Sequence, residues 1–278
     1  MRIYKLLQGL LIEVESAFYQ IADVDWDDFI NDDQLHAKAS NAIQHLKPIR
    51  NAQDLIATQL DAPMSSQELW ASGVTYFRSK QGRQEESKNA GGADFYARVY
   101  EAERPELFFK ATRNRTVGSG GLVRIRKDST WDVPEPELVL LMSSSGKIIG
   151  YTIGNDMSSR SIEGENPLYL PQAKSYDGCA ALGPCILVAE QPLASDTKIE
   201  LTIHRDEKQV FAGDIEINQI KRGFEELAGF LFRECSFPTG ALLMTGTGIV
   251  PDSSFTLQSG DKITIHIDVI GTLVNNVA

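Results

Sequence analysis

The stretch VPEPELVLLMSSSGKIIGYTIGND, residues 133 to 156, constrains the fold more than any other part of the chain. ELVLLM and KIIGYTIGND are apolar runs of strand-forming composition, and SSSG at 143 to 146 has the small, polar, glycine-bearing character of a turn. The segment reads as a hairpin. Glu135 and Glu137 stand at its mouth, each directly behind a proline. Proline disfavours the α region for the residue before it and lacks an N–H, so this entry is extended. In an extended chain, residues i and i+2 point to the same side, so the two carboxylates face together.

Two like charges this close resist ionising together, and the arrangement makes sense when a cation sits between them. The returning strand ends at Asp156, and a hairpin of this length can bring that carboxylate back near Glu135 and Glu137. Three carboxylates with no histidine or cysteine beside them suit a hard divalent cation, Mg²⁺ or Mn²⁺. Such an ion polarises a bound oxygen. The competing reading is an edge strand whose solvated glutamates and prolines guard against aggregation.

From Pro105 onward the texture is β-rich. LFFKA, LVRIR, KIELTIHR and KITIHIDVIG read as further strands, several with period-2 alternation. Apolar positions recur at helical spacing over residues 217–232. Ser65-Ser66-Gln67-Glu68 fits a capping box and predicts a helix over 66–79. Residues 1–61 are acidic and helix-rich, and Asp32 or Asp33 is placed to cap a helix running through His45. KQGRQEESKNAGGADF, at 80 to 95, is polar and without an apolar period, as expected of a mobile loop or short lid.

A chain of 278 residues suffices for one large domain, or one domain and a small one. Its net charge of -11 argues against nucleic acid or an anionic membrane as the main partner. The three cysteines, Cys179, Cys185 and Cys235, are odd in number and have no zinc-site spacing, which fits reduced thiols. The apolar patch in MRIYKLLQGLLIEVESAF is interrupted by Glu13 and Glu15, has no cleavage pattern and is too short to span a bilayer. A cytoplasmic protein is expected.

The order P-E-x-E, then G-x-T-x-G-N-D-M-S-S-R, then A-K-S-Y-D-G-C-A-A-L-G-P, with TGTGIV at 245 to 250, resembles the fumarylacetoacetate hydrolase family. The likeness covers roughly residues 62–278, which it marks as the catalytic domain behind a small N-terminal region at 1–61. It implies an α+β, β-rich fold, a mixed β-sandwich roll with few helices, often assembled as a homodimer or higher homo-oligomer. It also implies a divalent metal held by three carboxylates, which map onto Glu135, Glu137 and Asp156.

IEGENPLYLPQAKSY and ERPELFFKA are similar to the sugar-acid branch of that family, the 2-keto-3-deoxy-arabinonate dehydratases. What this implies is a small-molecule 2-keto acid substrate and its dehydration to 2,5-dioxopentanoate. The branch's acid–base pair maps onto Glu106 and Lys174. Lys174 is the candidate base at C3 and Glu106 the group that handles the leaving hydroxyl; the reverse assignment stays open. Arg160, four residues past Asp156, offers a fork of donors to a carboxylate or supports the metal shell. Lys110 either reaches the substrate or snorkels from its strand. Thr247 brings a hydroxyl and glycine-flanked N–H groups to a substrate carboxylate. Ser158, Tyr169 and Gln172 are further candidate contacts. The alternative is a C–C bond hydrolase of an acylpyruvate or fumarylacetoacetate-like diketo acid. The family's hydrolases commonly activate water with a His–Glu pair in a lid, whereas the lid candidate here has Glu85 and Glu86 and no histidine.

Overall fold

The computed structural model describes residues 1–79 and 98–278. Its strands are β1 (Arg2–Lys5), β2 (Leu10–Val14), β3 (Ala17–Ile21), β4 (Glu68–Gly73), β5 (Glu106–Ala111), β6 (Thr116–Val117), β7 (Leu122–Val123), β8 (Asp132–Val133), β9 (Pro136–Met142), β10 (Ile148–Asp156), β11 (Ser158–Ser159), β12 (Ala180–Leu187), β13 (Lys198–Arg205), β14 (Lys208–Glu216), β15 (Ala241–Met244), β16 (Lys262–Ile267) and β17 (Gly271–Val277). A ten-stranded mixed sheet runs β3-β2-β1-β12-β10-β9-β15-β4-β5, with β6 beside β12. A five-stranded sheet runs β14-β13-β16-β17-β7, and β8 pairs with β11. The expected β-rich sandwich with few helices is what forms.

Every residue of β9 is buried, because its two faces meet different halves of the core. Leu138, Leu140 and Met142 pack with Ile199, Leu201, Ile203, Ile263, Ile265 and Ile267 of the five-stranded sheet. Val139 and Leu141 point the other way, toward Trp26, Phe29, Ile30 and Leu35 of the N-terminal region. Side chains alternate across a strand, so an uninterrupted apolar run is what a doubly covered strand requires. The amphipathic pattern of β13, with Ile199, Leu201 and Ile203 buried and Lys198 and Glu200 exposed, marks a sheet covered on one face.

The β9–β10 hairpin closes through Ser143-Ser144-Ser145-Gly146, where the Gly146 N–H donates to the Ser143 carbonyl at 2.9 Å. Gly146 takes a φ of 83°, which glycine tolerates without a Cβ penalty. The register sets Gly154 opposite Glu137 and Asn155 opposite Pro136. The Asp156 N–H then donates to the Glu135 carbonyl at 2.9 Å, so the hairpin does return Asp156 to the two glutamates.

Residues 68–73 form a strand instead of the expected helix. β4 pairs in parallel with β15 and antiparallel with β5. Leu69 and Ala71 are buried, and the buried Gln67 amide donates to Asp27 Oδ1 at 2.7 Å and to the Thr239 carbonyl at 3.0 Å. A cap contributes about 1 kcal/mol, less than a two-sided ladder and two buried side chains. The expected helix over 217–232 is a 3₁₀ turn, Ile217–Gln219, followed by a helix at Phe224–Leu231. The N-terminal helix spans Leu35–Ile43 and stops before His45. Asp32 Oδ1 accepts from the Gln34 N–H at 2.8 Å just ahead of it. Asp33 instead accepts from the hydroxyls of Ser143 and Ser145 at 2.5 and 2.8 Å, tying the N-terminal region to the hairpin turn. Of LVRIR only Leu122 and Val123 are strand.

β1 pairs with β12, Arg2 opposite Leu187 and Ile3 opposite Ile186, so the main sheet continues into the N-terminal β1–β3 meander. The lid candidate KQGRQEESKNAGGADF, with Glu85 and Glu86, lies outside the described residues. Among the described residues no helix is long and apolar enough to cross a membrane. Cys179 and Cys185 are buried and Cys235 is exposed; all three are free thiols.

Candidate metal centre and active site

Glu135, Glu137 and Asp156 are buried, and one oxygen from each lies within 4.8 Å of the others. Glu135 and Glu137 come from the mouth of β9, and Asp156 from the end of β10. Among the described residues no other His, Cys, Asp or Glu group gathers in this way.

Buried carboxylates require compensation, and the chain supplies it as an alternating ladder of charge. Arg160 Nη2 lies 2.6 Å from Glu135 Oε1, and Lys174 Nζ lies 2.6 Å from Glu135 Oε2. Lys174 Nζ continues to Asp156 Oδ2 at 3.0 Å and donates to Ser158 Oγ at 2.5 Å. Lys110 Nζ lies 2.6 Å from Asp156 Oδ1. Glu137 accepts the Gly246 N–H at 2.5 Å. Burial first, and then the Asp156 and Glu135 carboxylates, hold Glu137 well above the ordinary carboxylate range. Burial pulls Asp156 upward as well, yet the Lys110 and Lys174 ammoniums outweigh it and hold this carboxyl below its usual value.

Local structure places each of these groups. The bridge of β11 to β8 sets Ser158 opposite Val133. Arg160 opens the helix Arg160–Glu165, whose N-terminus is capped by Ser159. Lys174 ends the helix Leu170–Lys174 and lies 5.7 Å above the centre of the Phe108 ring. A small cavity opens on the cluster, walled by Glu135, Glu137, Asp156, Arg160, Lys174 and Thr247 together with Ser72, Gly73, Val74, Ser79, Phe108 and Gly246. The described residues that line it include no histidine.

The other candidates stand differently. Glu106 begins β5 opposite Gly73, and its carboxylate lies against that glycine, where a Cβ would meet Oε2 at 2.0 Å. Thr247 is buried and spends its hydroxyl on the Ile249 N–H and carbonyl at 3.2 and 3.3 Å. Lys110 is fully buried on the far oxygen of Asp156 and, like Glu106 and Ser158, is absent from the cavity wall. Tyr169 and Gln172 are exposed and apart from the cavity.

One charged group escaped the sequence reading. Glu163 is buried, with Oε1 3.4 Å from Lys174 Nζ and Oε2 3.8 Å from Arg160 Nε. The available signal was the i,i+3 spacing of Arg160 and Glu163 on a short helix directly after Asp156. Ser72, Gly73, Val74 and Ser79 were missed because their segment was expected to be helical.

An all-oxygen donor set, buried, clustered and short of positive charge at Glu137, fits a hard divalent cation and leaves positions open for a second oxygen ligand. Beside it, Lys174 presents a proton-bearing nitrogen.

The fumarylacetoacetate (FAA) hydrolase C-terminal model matches residues 75–278. The chain is 47% identical over 216 residues to a probable 2-keto-3-deoxyxylonate dehydratase of Haloferax volcanii, covering 77% of this chain and 73% of that one. It is 43% identical over 223 residues to a 2-dehydro-3-deoxy-D-arabinonate dehydratase of Saccharolobus solfataricus, covering 79% and 74%. Among solved structures, a 2-keto-3-deoxy-D-arabinonate dehydratase complexed with magnesium and 2,5-dioxopentanoate superposes with a TM-score of 0.84 at 33% identity, covering 100% of this chain and 98% of that one.

Proposed function

The chain belongs to the fumarylacetoacetate hydrolase family, and on that premise we propose that it is a divalent-metal-dependent hydro-lyase converting 2-keto-3-deoxy-pentonate to 2,5-dioxopentanoate. The observation that carries this reading is Lys174, whose Nζ sits 2.6 Å and 3.0 Å from two carboxylates of the cluster. Hydration or dehydration beside a carbonyl needs an activated oxygen and a movable proton in one place, and this is such a place.

The two curated relatives carry different sugar names, arabinonate and xylonate, yet the chemistry merges them. Within one stereochemical series these acids differ only at C2 and C3. A keto group at C2 and a methylene at C3 erase both centres, so one 2-keto-3-deoxy acid with a single stereocentre at C4 serves both names.

Glu135, Glu137 and Asp156 would hold Mg²⁺ or Mn²⁺, which when bound withdraws electron density from the keto acid and acidifies C3. Lys174 and Glu106 are the acid–base pair. Lys174 Nζ faces three acceptors, Glu135, Asp156 and Ser158, an environment that suits the ammonium. This favours Lys174 as the acid that protonates the C4 hydroxyl and Glu106 as the base that takes the C3 proton. Water leaves from C4 and a C3–C4 double bond forms. Loss of a C5 proton and return of a proton to C3 shift that bond to C4–C5, and the resulting enol becomes the C5 aldehyde. The sum is loss of one water, with no redox change. Arg160 is tied to Glu135 and Glu163, a place from which it holds the cluster and faces the cavity. Gly246 and Thr247 bring backbone close to it. By its family likeness the chain would work as a homodimer or higher homo-oligomer.

The test is incubation with Mg²⁺ and 2-keto-3-deoxy-D-arabinonate, followed by proton NMR, with an EDTA control. The expected result is 2,5-dioxopentanoate, abolished by EDTA. In D₂O, the Lys174→Met variant should still exchange the C3 proton while losing elimination, and the Glu106→Gln variant should lose both. Inertness toward both C4 epimers, with release of pyruvate from acylpyruvates, would replace the dehydratase by a hydrolase.

A further inference from the structure

We propose that Lys110 is a positioning residue that fixes the metal ligand Asp156 and the acid–base residue Lys174 in one frame, and that it does not contact substrate. The inference rests on the metal-and-lysine reading given above. Lys110 is the fifth residue of β5, wholly buried, and its stem runs inward rather than into the cavity. Its Nζ meets three oxygens: Asp156 Oδ1 at 2.6 Å, the Met157 carbonyl at 2.9 Å, and the Lys174 carbonyl. An ammonium carries three N–H donors and no acceptor; two are spent on the carbonyls, and the ion pair with Asp156 takes up its remaining side.

The choice of oxygens gives the contact its meaning. Asp156 has two, and the chain divides them: Oδ1 to Lys110 and Oδ2 to Lys174. With each oxygen ion-paired to a different ammonium, the carboxylate is held from both ends. The same Nζ grips the backbone of Lys174 itself. One buried ammonium therefore spans the end of β10, the turn after it and the end of the helix Leu170–Lys174, three pieces of chain with no ladder hydrogen bond between the first and the last. The Tyr176 ring lies 5.8 Å from the same nitrogen and closes the remaining side. A lysine suits this task better than arginine, because a compact three-donor head meets three oxygens that converge on a point, where a planar fork would not.

The test separates this role from substrate binding by reading metal affinity without substrate. The Lys110→Met variant, which keeps the apolar stem, is titrated with Mn²⁺ by electron paramagnetic resonance and then assayed for kcat and KM. The expected result is a loss of about 10- to 100-fold in Mn²⁺ affinity, the usual effect of removing an outer-sphere partner, with a fall in kcat and a KM changed less than about threefold. A raised KM with Mn²⁺ affinity and kcat intact would make Lys110 a substrate contact and overturn the proposal. So would a variant that behaves as the wild type. Should the methionine variant not fold, Lys110→Gln removes the ion pair and keeps a polar head with two N–H donors, and the same Mn²⁺ loss is expected. A crystal structure of the wild-type enzyme with Mg²⁺ and product needs no substitution: Nζ should remain on its three protein oxygens, and an Nζ turned onto the product would refute the assignment. Wild-type protein that binds no Mn²⁺ would instead count against the metal reading. Wild-type protein that binds Mn²⁺ without turning over the pentonate would count against the substrate alone.

Discussion

At the scale of single residues, the site depends as much on a missing side chain as on those present. Gly73 stands where a Cβ would lie 2.0 Å from Glu106 Oε2 and 2.5 Å from its Cδ. The obstructing atoms are the far end of a side chain and not backbone, so Gly73→Ala should fold with little change in melting temperature. Its effect belongs in the chemistry: the Glu106 carboxylate has to swing by more than 1 Å. Misplacement on that scale can cost about 100-fold. The expected outcome is kcat lower by roughly that factor, with Mn²⁺ affinity unaltered. An unchanged kcat would mean that Glu106 does not act from where it stands. Glu135 and Glu137 were the readable part of this site because like charges at i and i+2 demand a partner. Lys110 was ambiguous in sequence, since a lysine after Phe-Phe can surface or dive, and only the three oxygens around its Nζ decide.

Among elements, the hairpin was legible and the segment before the lid candidate was not. The end of β9 and the start of β10 are joined by the tight turn at 143–146, so local pattern sets their register. β4 is a strand because of β15, about 170 residues later, and no local signal carries that partner. The same distant pairing delivers Gly246, the second residue past β15, to Glu137. Gly246 holds a φ of +94°, and a Cβ there would lie 2.0 Å from Thr75 Oγ1 and 3.0 Å from the Ser72 carbonyl. Thr75 cannot easily yield, because its hydroxyl donates to the Thr245 carbonyl at 2.7 Å. Gly246→Ala should therefore lower stability, by about 1–2 kcal/mol from backbone handedness alone, and draw the Gly246 N–H away from Glu137. A lowered melting temperature together with about tenfold weaker Mn²⁺ binding is expected from thermal denaturation and metal titration. Lost stability with unaltered Mn²⁺ binding would show that Glu137 is held without this amide.

Over the whole molecule, a net charge of -11 hides a centre in which Lys110, Lys174 and Arg160 are packed among four buried carboxylates. Composition excludes partners for the surface, but it is silent about a core assembled from β5, β9, β10 and two short helices. That centre links metal binding to stability and pH. Glu137 is held above the ordinary carboxylate range, so its protonated form is favoured by folding. Its contribution to stability is complete below the unfolded pKa and is lost as pH rises through the folded one. Asp156 runs the other way: its contribution is present above the unfolded value and fades only as pH falls below the ordinary range. Above the ordinary carboxylate range Glu137 therefore dominates. A cation at the cluster has to displace the Glu137 proton, so it meets a stronger competitor as pH falls. Saturation at 100 times Kd stabilises by about 2.7 kcal/mol, and for a chain of this size that corresponds to roughly 5–10 °C. The rise in melting temperature produced by a fixed Mg²⁺ concentration should be larger at pH 7.5 than at pH 5.5, and EDTA should abolish it at both. Equal shifts at the two pH values would mean that no carboxyl of the cluster gives up a proton when metal binds, and that Glu137 is ionised beside Asp156 and Glu135 before any cation arrives.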